Sequence, residues 1–444
     1  MTSNLVPKVL FITPIAFNRV TGGGITYSSL FKGWPKERLA TIHNDPEPTL
    51  TDVCDQYFVL GPNELDFKFP FNYLRRTARS TSQTVKLKHA AEGLSIKPTL
   101  SQKALSQLKT FFLKITGDSL PQKAVLTPEL DQWISVYKPD VIYTILGSNG
   151  LMDLIEQVRV KYDLPVVTHI MDDWVSASHE TGIFAPFARK VMHKWVNHFM
   201  AVSKTRLSIS PMMSKAYEKR YGHEFEAFQN TIDTQKWLPL AQDKVQVTEC
   251  IDVLYVGSIF HNAQLQSLIN ICRAIGELAD VGKDISLTIS SPSGHTDKYR
   301  SQLAIHSAIK IEDTIRDDDI FFNRIASADV LLLPVNFDEE SVRFIRYSMP
   351  TKVPAYLTVG TPILLYAPAG IAQVEYARED GWGLVVDEQD PEKLKQGLLR
   401  LCEDTKLRAG LSETAKNIAQ RNHDAKTVRR RFQQVLTEAT LTSN

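Results

Sequence analysis

Short runs of branched apolar residues recur along the chain between longer stretches in which apolar positions return every three or four residues. That alternation is the pattern of parallel strands joined by helices. "KVLFITP", "DQYFVLG", "DVIYTIL", "PVVTHIM" and "HFMAVS" are strand-like runs before residue 205, and "DVLYVGS", "ISLTIS", "KIEDTI", "DVLLLPV", "PILLYAP" and "GLVVD" form a second set between Asp252 and Asp387. The polar stretch "QNTIDTQKWLPLAQDK" with Pro239 separates the sets and reads as a connection. The expectation is an α/β protein of two Rossmann-like domains in series, over 1–238 and 239–415. A helical tail over 416–444 follows, with the helical period already present from Asp390 and long enough to strap across both.

Length agrees, since 444 residues exceed what one hydrophobic core serves. A formal net charge of +1 and 23% charged residues give no whole-chain basic excess, so nucleic acid is not an expected partner. Four cysteines, Cys54, Cys250, Cys272 and Cys402, stand too far apart for a metal-type pair and read as reduced thiols of a cytoplasmic protein. The apolar opening "VLFITPIAF" runs straight into "TGGG" without a small-residue cleavage site, as a buried first strand would. No stretch reaches the roughly 18 apolar residues that span a bilayer.

One block departs from the strand–helix order. Between Arg75 and Lys123 ten basic residues face only Glu92 and Asp118, and Leu105, Leu108, Phe111, Phe112 and Ile115 recur at near-helical spacing. A basic amphipathic insertion of this kind is either an ordinary solvated helix pair or a contact for an anionic acceptor or for anionic lipid headgroups at the inner face of a membrane.

Candidate chemistry lies in the loops after strands, where open α/β sheets bind ligands. "AFNRVTGGGITYSSL" places Gly22, Gly23 and Gly24 after the first strand, where bare backbone N–H groups can approach a phosphate or sugar and a helix can start from Thr26; a tight structural turn explains the glycines nearly as well. "THIMDDWVSASHE" gathers His169, Asp172, Asp173 and Trp174 at a strand end, a set able to polarise an acceptor hydroxyl and stack a sugar ring. Its structural alternative is a capped helix start with a core histidine. In "MPTKVPAYLTVGTPILLYAPAG", Pro350 suits the first turn of a short helix and Gly360 its C-terminal cap, with Arg343, Arg346 and Lys352 near the positive dipole end.

Together these pieces resemble the large retaining family of GT-B glycosyltransferases, family 4 or glycosyl transferases group 1. "GGGITYSSL" is similar to its first glycine loop, "HIMDDW" to its central histidine-aspartate segment, "AVSKT…YEKRYG…FQNTID" to the end of its first domain, "LYVGSI" to the start of its second and "PTKVPAYLTVGTPIL" to its donor helix. The resemblance covers most of the chain. It implies two Rossmann-like domains facing a central cleft, with a C-terminal helix crossing back. It further implies a nucleotide-diphosphate sugar held by Gly23, Gly24, Gly257, Ser258, Arg346 and Lys352, an acceptor glycan or lipid-linked sugar beside Trp174, and catalysis by His169, Asp172 and Asp173. No cofactor or metal ion is implied, since the nucleotide sugar is itself a substrate.

The sequence also departs from the family. Tyr347 and Ala355 occupy the positions of its two donor-side glutamates, and "GSIFHNAQLQ" lacks its diphosphate-neutralising arginine and lysine, a task left to Arg346 and Lys352. Donor identity and retention of stereochemistry therefore stay open. Two other functions stay open with them: a catalytically silent GT-B protein that binds a glycan or a partner enzyme, and a nucleotide-sugar epimerase.

Overall fold

The structure is a computed structural model that describes residues 6–19, 21–45, 49–69, 121–180, 182–241 and 251–441. The chain divides into two compact units, Met1–Phe228 with Arg429–Asn444, and Gln229–Val428.

The first unit is built on strands β1 (Val9–Ile12), β2 (Leu39–His43), β3 (Gln56–Val59), β4 (Leu65–Phe67), β5 (Gln122–Ala124), β6 (Val141–Thr144), β7 (Val166–Ile170), β8 (Thr205–Ser208) and β9 (Glu226–Ala227). Seven of them form one parallel sheet in the order β3-β2-β1-β6-β7-β8-β9. The central strands β1, β6 and β7 are buried at every position, which is why they read as largely apolar runs rather than as alternation, with Thr144, Thr168 and His169 buried among them. Helices packed on such a sheet start at ordinary side-chain caps: Thr127 accepts from Leu130 N, Ser148 from Leu151 N and Ser210 from Met213 N. The last helix, Ala425–Thr440, returns to this unit from Arg429 on, where Phe432 meets Phe31, Tyr143 and Phe228 edge-on.

Strands β4 and β5 pair antiparallel as a separate ribbon, and Lys68 N donates to Pro121 O at 2.7 Å beside it. Residues 70–120, which hold nearly all of the basic block expected over 75–123, lie outside the described residues. The chain thus leaves and re-enters the described structure through one short ribbon.

The second unit carries β10 (Ile251–Val256), β11 (Ile285–Ser290), β12 (Ile309–Glu312), β13 (Val330–Pro334), β14 (Ile363–Tyr366) and β15 (Leu384–Val386). Their parallel order is β12-β11-β10-β13-β14-β15. Counted within the unit this is 3-2-1-4-5-6, the Rossmann order, and its direction reverses between β10 and β13. In the first unit the same reversal falls between β1 and β6.

Several expectations need correction. "HFMAVS" is the end of the helix Ala185–Val202, and the strand is the next segment, Thr205–Ser208. An apolar run that closes an 18-residue amphipathic helix looks like a strand when read by itself. The strand Leu39–His43 was not expected, because "LATIH" is short and half polar although all five residues are buried. The units part at Phe228 rather than after 238, and 416–428 stays with the second unit.

Candidate functional site

Both sheets put their reversal points at the carboxyl ends of strands, so the loops after β10 and β13 and those after β1, β6 and β7 are where side chains converge.

In the second unit Gly257 follows β10 at φ +142°, a conformation side-chain-bearing residues rarely adopt. A Cβ there would stand 2.9 Å from Lys352 Nζ. The Lys352 ammonium donates to Val256 O at 2.7 Å and lies 4.2 Å from the centre of the Tyr255 ring. Tyr255 is itself fixed by donating its hydroxyl to Ser258 O at 2.6 Å. Lys352, Gly257 and Ser258 are therefore brought together by the structure, although 95 positions separate Gly257 from Lys352. No carboxylate pairs with Lys352 among the described residues, and burial pushes its pKa down to about 7. Arg346 is exposed just after the helix Glu339–Ile345, and no hydrogen bond or ion pair joins it to Lys352. The short helix begins at Val353, with Lys352 in the capping position and Pro354 in its first turn, so Pro350 lies outside it; Gly360 closes it in the left-handed conformation, as expected.

A lysine whose charge is destabilised in this way binds an anion together with a proton. Through the range above pH 7 the free ammonium is lost, while a diphosphate beside it favours the charged form. Nucleoside diphosphate affinity is thus expected to fall as pH rises from 7, by at most about tenfold per pH unit. Calorimetric titration in buffers of different ionisation enthalpy measures the proton uptake, and Lys352→Met should abolish it.

In the first unit the three glycines form the first turn of the helix Gly22–Phe31, which starts at Gly22 and not at Thr26; Thr21 caps it by accepting from Gly24 N at 3.1 Å. A Cβ on Gly23 would lie 2.2 Å from the Tyr27 hydroxyl oxygen, and one on Gly24 would lie 2.4 Å from the Asn18 amide. Local packing against Tyr27 and Asn18 by itself accounts for glycine at both positions. Burial, then the Asp172 charge, then Asp45 push the Tyr27 phenol up, so the carboxylate after β7 acts on the glycine turn after β1.

The "HIMDDW" segment divides sharply. Asp172 is exposed and Trp174 half-buried at the start of the helix Trp174–Ala177. Asp173 is 5% exposed and accepts from Tyr217 Oη at 2.6 Å and from Arg220 at 2.9 and 3.1 Å. His169 is 0% exposed inside β7, its Nδ1 shares a 2.6 Å hydrogen bond with Tyr143 Oη, and burial pushes its pKa down to about 3. These surroundings bear on the catalytic expectation for His169 and Asp173, which stays a proposal beside the structural alternative. The enclosed imidazole is held neutral by burial, and the Asp173 carboxylate is already engaged by a guanidinium and a phenol. The structural alternative, a core histidine at a helix start, describes both residues.

Sequence reasoning gave no role to Tyr255, Tyr217, Arg220, Tyr27 and Asn18, although each lies in a stretch quoted above. It also missed Leu146, which is fully buried at φ +64° directly after β6, next to Gly147 at φ +112°. A leucine in the left-handed region costs free energy and here sits at the reversal point of the first sheet.

Residues 250–404, within the second unit, match the family model of glycosyl transferases group 1. Over that stretch the chain is similar to glycosyl transferases group 1. Its two Rossmann-like units are the GT-B fold, and solved structures share it along the whole chain. The Anabaena protein HepE, crystallised with UDP and glucose, is 13% identical at a TM-score of 0.60, covering 97% of this chain and 99% of that one. A glycosyltransferase from Rickettsia africae is 12% identical at 0.60, with 98% of each chain covered. WaaG, a glycosyltransferase involved in lipopolysaccharide biosynthesis, is 14% identical at 0.55, covering 97% and 99%. No curated protein matches the sequence. Among the described residues no helix is long and apolar enough to cross a membrane.

Proposed function

We propose that this glycosyltransferase moves a sugar from a nucleotide-diphosphate donor, held by the second unit, to a hydroxyl of a glycan or lipid-linked acceptor presented to the first. The observation that carries the reading is Lys352: an ammonium without a carboxylate partner among the described residues, against Gly257 at the reversal point of a Rossmann-order sheet. A diphosphate supplies the missing negative charge, and the absence of a side chain at Gly257 leaves room for it. That HepE was crystallised with UDP and with UDP-glucose supports a uridine nucleotide as the first donor to test.

On the acceptor side the proposal rests on Asp172 and Trp174. Asp172 is the carboxylate of the segment that faces solvent, and Trp174 offers a partly exposed ring beside it. Arg346 adds an exposed cation for the donor phosphates. Tyr347 and Ala355 leave no carboxylate at the two positions where the family has glutamates, so the stereochemical course is assigned here only by resemblance, as retaining. The basic segment 75–123 belongs to the proposal on sequence grounds, as an anionic-surface contact at the cytoplasmic face of a membrane.

Binding of a panel of nucleoside diphosphates, followed by release of sugar from the corresponding donors, tests this reading. A silent protein binds without hydrolysis, and an epimerase releases a changed sugar. Turnover is expected to survive chelation by EDTA, because cationic side chains rather than a metal are proposed to balance the diphosphate. Loss of turnover restored by magnesium or manganese would make Asp172 a metal ligand instead.

A further inference from the structure

The helix Ala185–Val202 buries Ala185, Met192, Val196, Phe199 and Met200, and over its 18 residues it has no aspartate or glutamate. Its other side is solvent-facing and divided by chemistry. Ile183, Phe184 and Phe187 are 78%, 55% and 67% exposed, three large apolar side chains within five positions. Lys190 and Lys194 follow Phe187 on the same exposed stripe, at helical spacing. Arg189 and Lys190 also line an open pocket of about 420 Å³ with His179 and His193, in which Glu180 is the acidic member. Burial, and after it the nearby Arg189, Arg220 and His179, disfavour the charged form of His193.

A soluble surface rarely carries so concentrated an apolar ridge without a partner, and a ridge bordered by cations matches the two layers of a membrane interface. The position is informative too. Ile183 and Phe184 belong to the connection that leaves the carboxyl end of β7, the sheet edge that also bears Asp172, Trp174 and, after β1, Gly23 and Gly24.

We propose that Ile183, Phe184 and Phe187, with Arg189, Lys190 and Lys194, dock the first unit on an anionic lipid bilayer. The apolar ridge enters the headgroup–acyl boundary, and the three cations contact lipid phosphates. Docking of this kind sets the acceptor edge of the sheet against the lipid surface, where a lipid-linked acceptor is confined. The inference rests on the sugar-transfer reading only for that last consequence. Failure of vesicle binding leaves donor hydrolysis in place, and failure of donor hydrolysis leaves vesicle binding in place.

The test is co-sedimentation of the full-length protein with vesicles of equimolar phosphatidylglycerol and phosphatidylcholine, and with phosphatidylcholine alone. Wild type is expected to partition onto the mixed vesicles. The variant Ile183→Ser/Phe184→Ser/Phe187→Ser is expected to bind at least about tenfold more weakly, with nucleoside diphosphate binding unchanged. Replacing Lys190 and Lys194 by glutamine should cost roughly fivefold each and flatten the salt dependence. Independently of these losses, a Phe184→Trp reporter should show blue-shifted emission on the mixed vesicles. Wild-type binding by the triple serine variant, equal binding to phosphatidylcholine alone, or unshifted emission from vesicle-bound reporter would each overturn the proposal. The first of these would assign any vesicle binding to the basic segment 75–123.

Discussion

Lys352→Ala is expected to raise the dissociation constant of a nucleoside diphosphate by roughly 10- to 100-fold and to leave that of the bare nucleoside unchanged. Charge-assisted contacts to phosphate are worth about 1.5–3 kcal/mol, and the ammonium is already held in place by Val256 O and the Tyr255 ring, so little ordering is required on binding. The selectivity of the loss is the informative part. Removing a lysine that merely fills space would weaken both ligands equally through damage to the loop after β10. No loss for either ligand would place the diphosphate elsewhere. Arg346→Ala should produce a smaller loss of the same kind, since its exposed side chain must be ordered by the ligand.

Asp173→Ala is expected to destabilise the first unit by about 2–4 kcal/mol, a larger effect than any it has on chemistry directly. The carboxylate is nearly enclosed and receives three hydrogen bonds, from Tyr217 and both terminal nitrogens of Arg220. Its removal leaves a guanidinium and a phenol without their acceptor. The measurement is denaturant unfolding of the single variants and of Asp173→Ala/Arg220→Ala. The double variant should be distinctly more stable than the sum of the two losses predicts, because the orphaned charge is removed with its partner. If Asp173→Ala instead kept wild-type stability and lost turnover by about 10²- to 10⁴-fold, the residue would be the catalytic base after all.

Much of the fold was legible because the strands of a parallel sheet covered on both faces are apolar throughout. "VLFI", "VVTHI", "IDVLYV" and "VLLLP" all announced themselves, and the glycine turn, the "HIMDDW" segment and the lysine before "VPAYLTV" were each found at a strand's carboxyl end. The strand Leu39–His43 was not legible, since Ala40 stands where a branched residue would mark a strand and Thr41 interrupts the run. "HFMAVS" misled for the opposite reason, being locally apolar but phased by the long helix that it ends.

Sequence by itself determined the two-unit α/β architecture and the loops in which chemistry would lie, because burial period and glycine placement are properties of neighbouring residues. Tertiary structure alone decided what each charged group in those loops does. His169 and Asp173 differ from Asp172 by a few positions, yet burial holds the first neutral beside Tyr143, Tyr217 and Arg220 engage the second, and the third faces solvent. Lys352 acquires its lowered pKa from burial, where it lies against Val256 and Tyr255 of another strand and the turn at Gly257. A side chain's charge and reach depend on the dielectric and the partners around it, and here those are supplied by segments tens of residues away that only the folded sheets bring alongside.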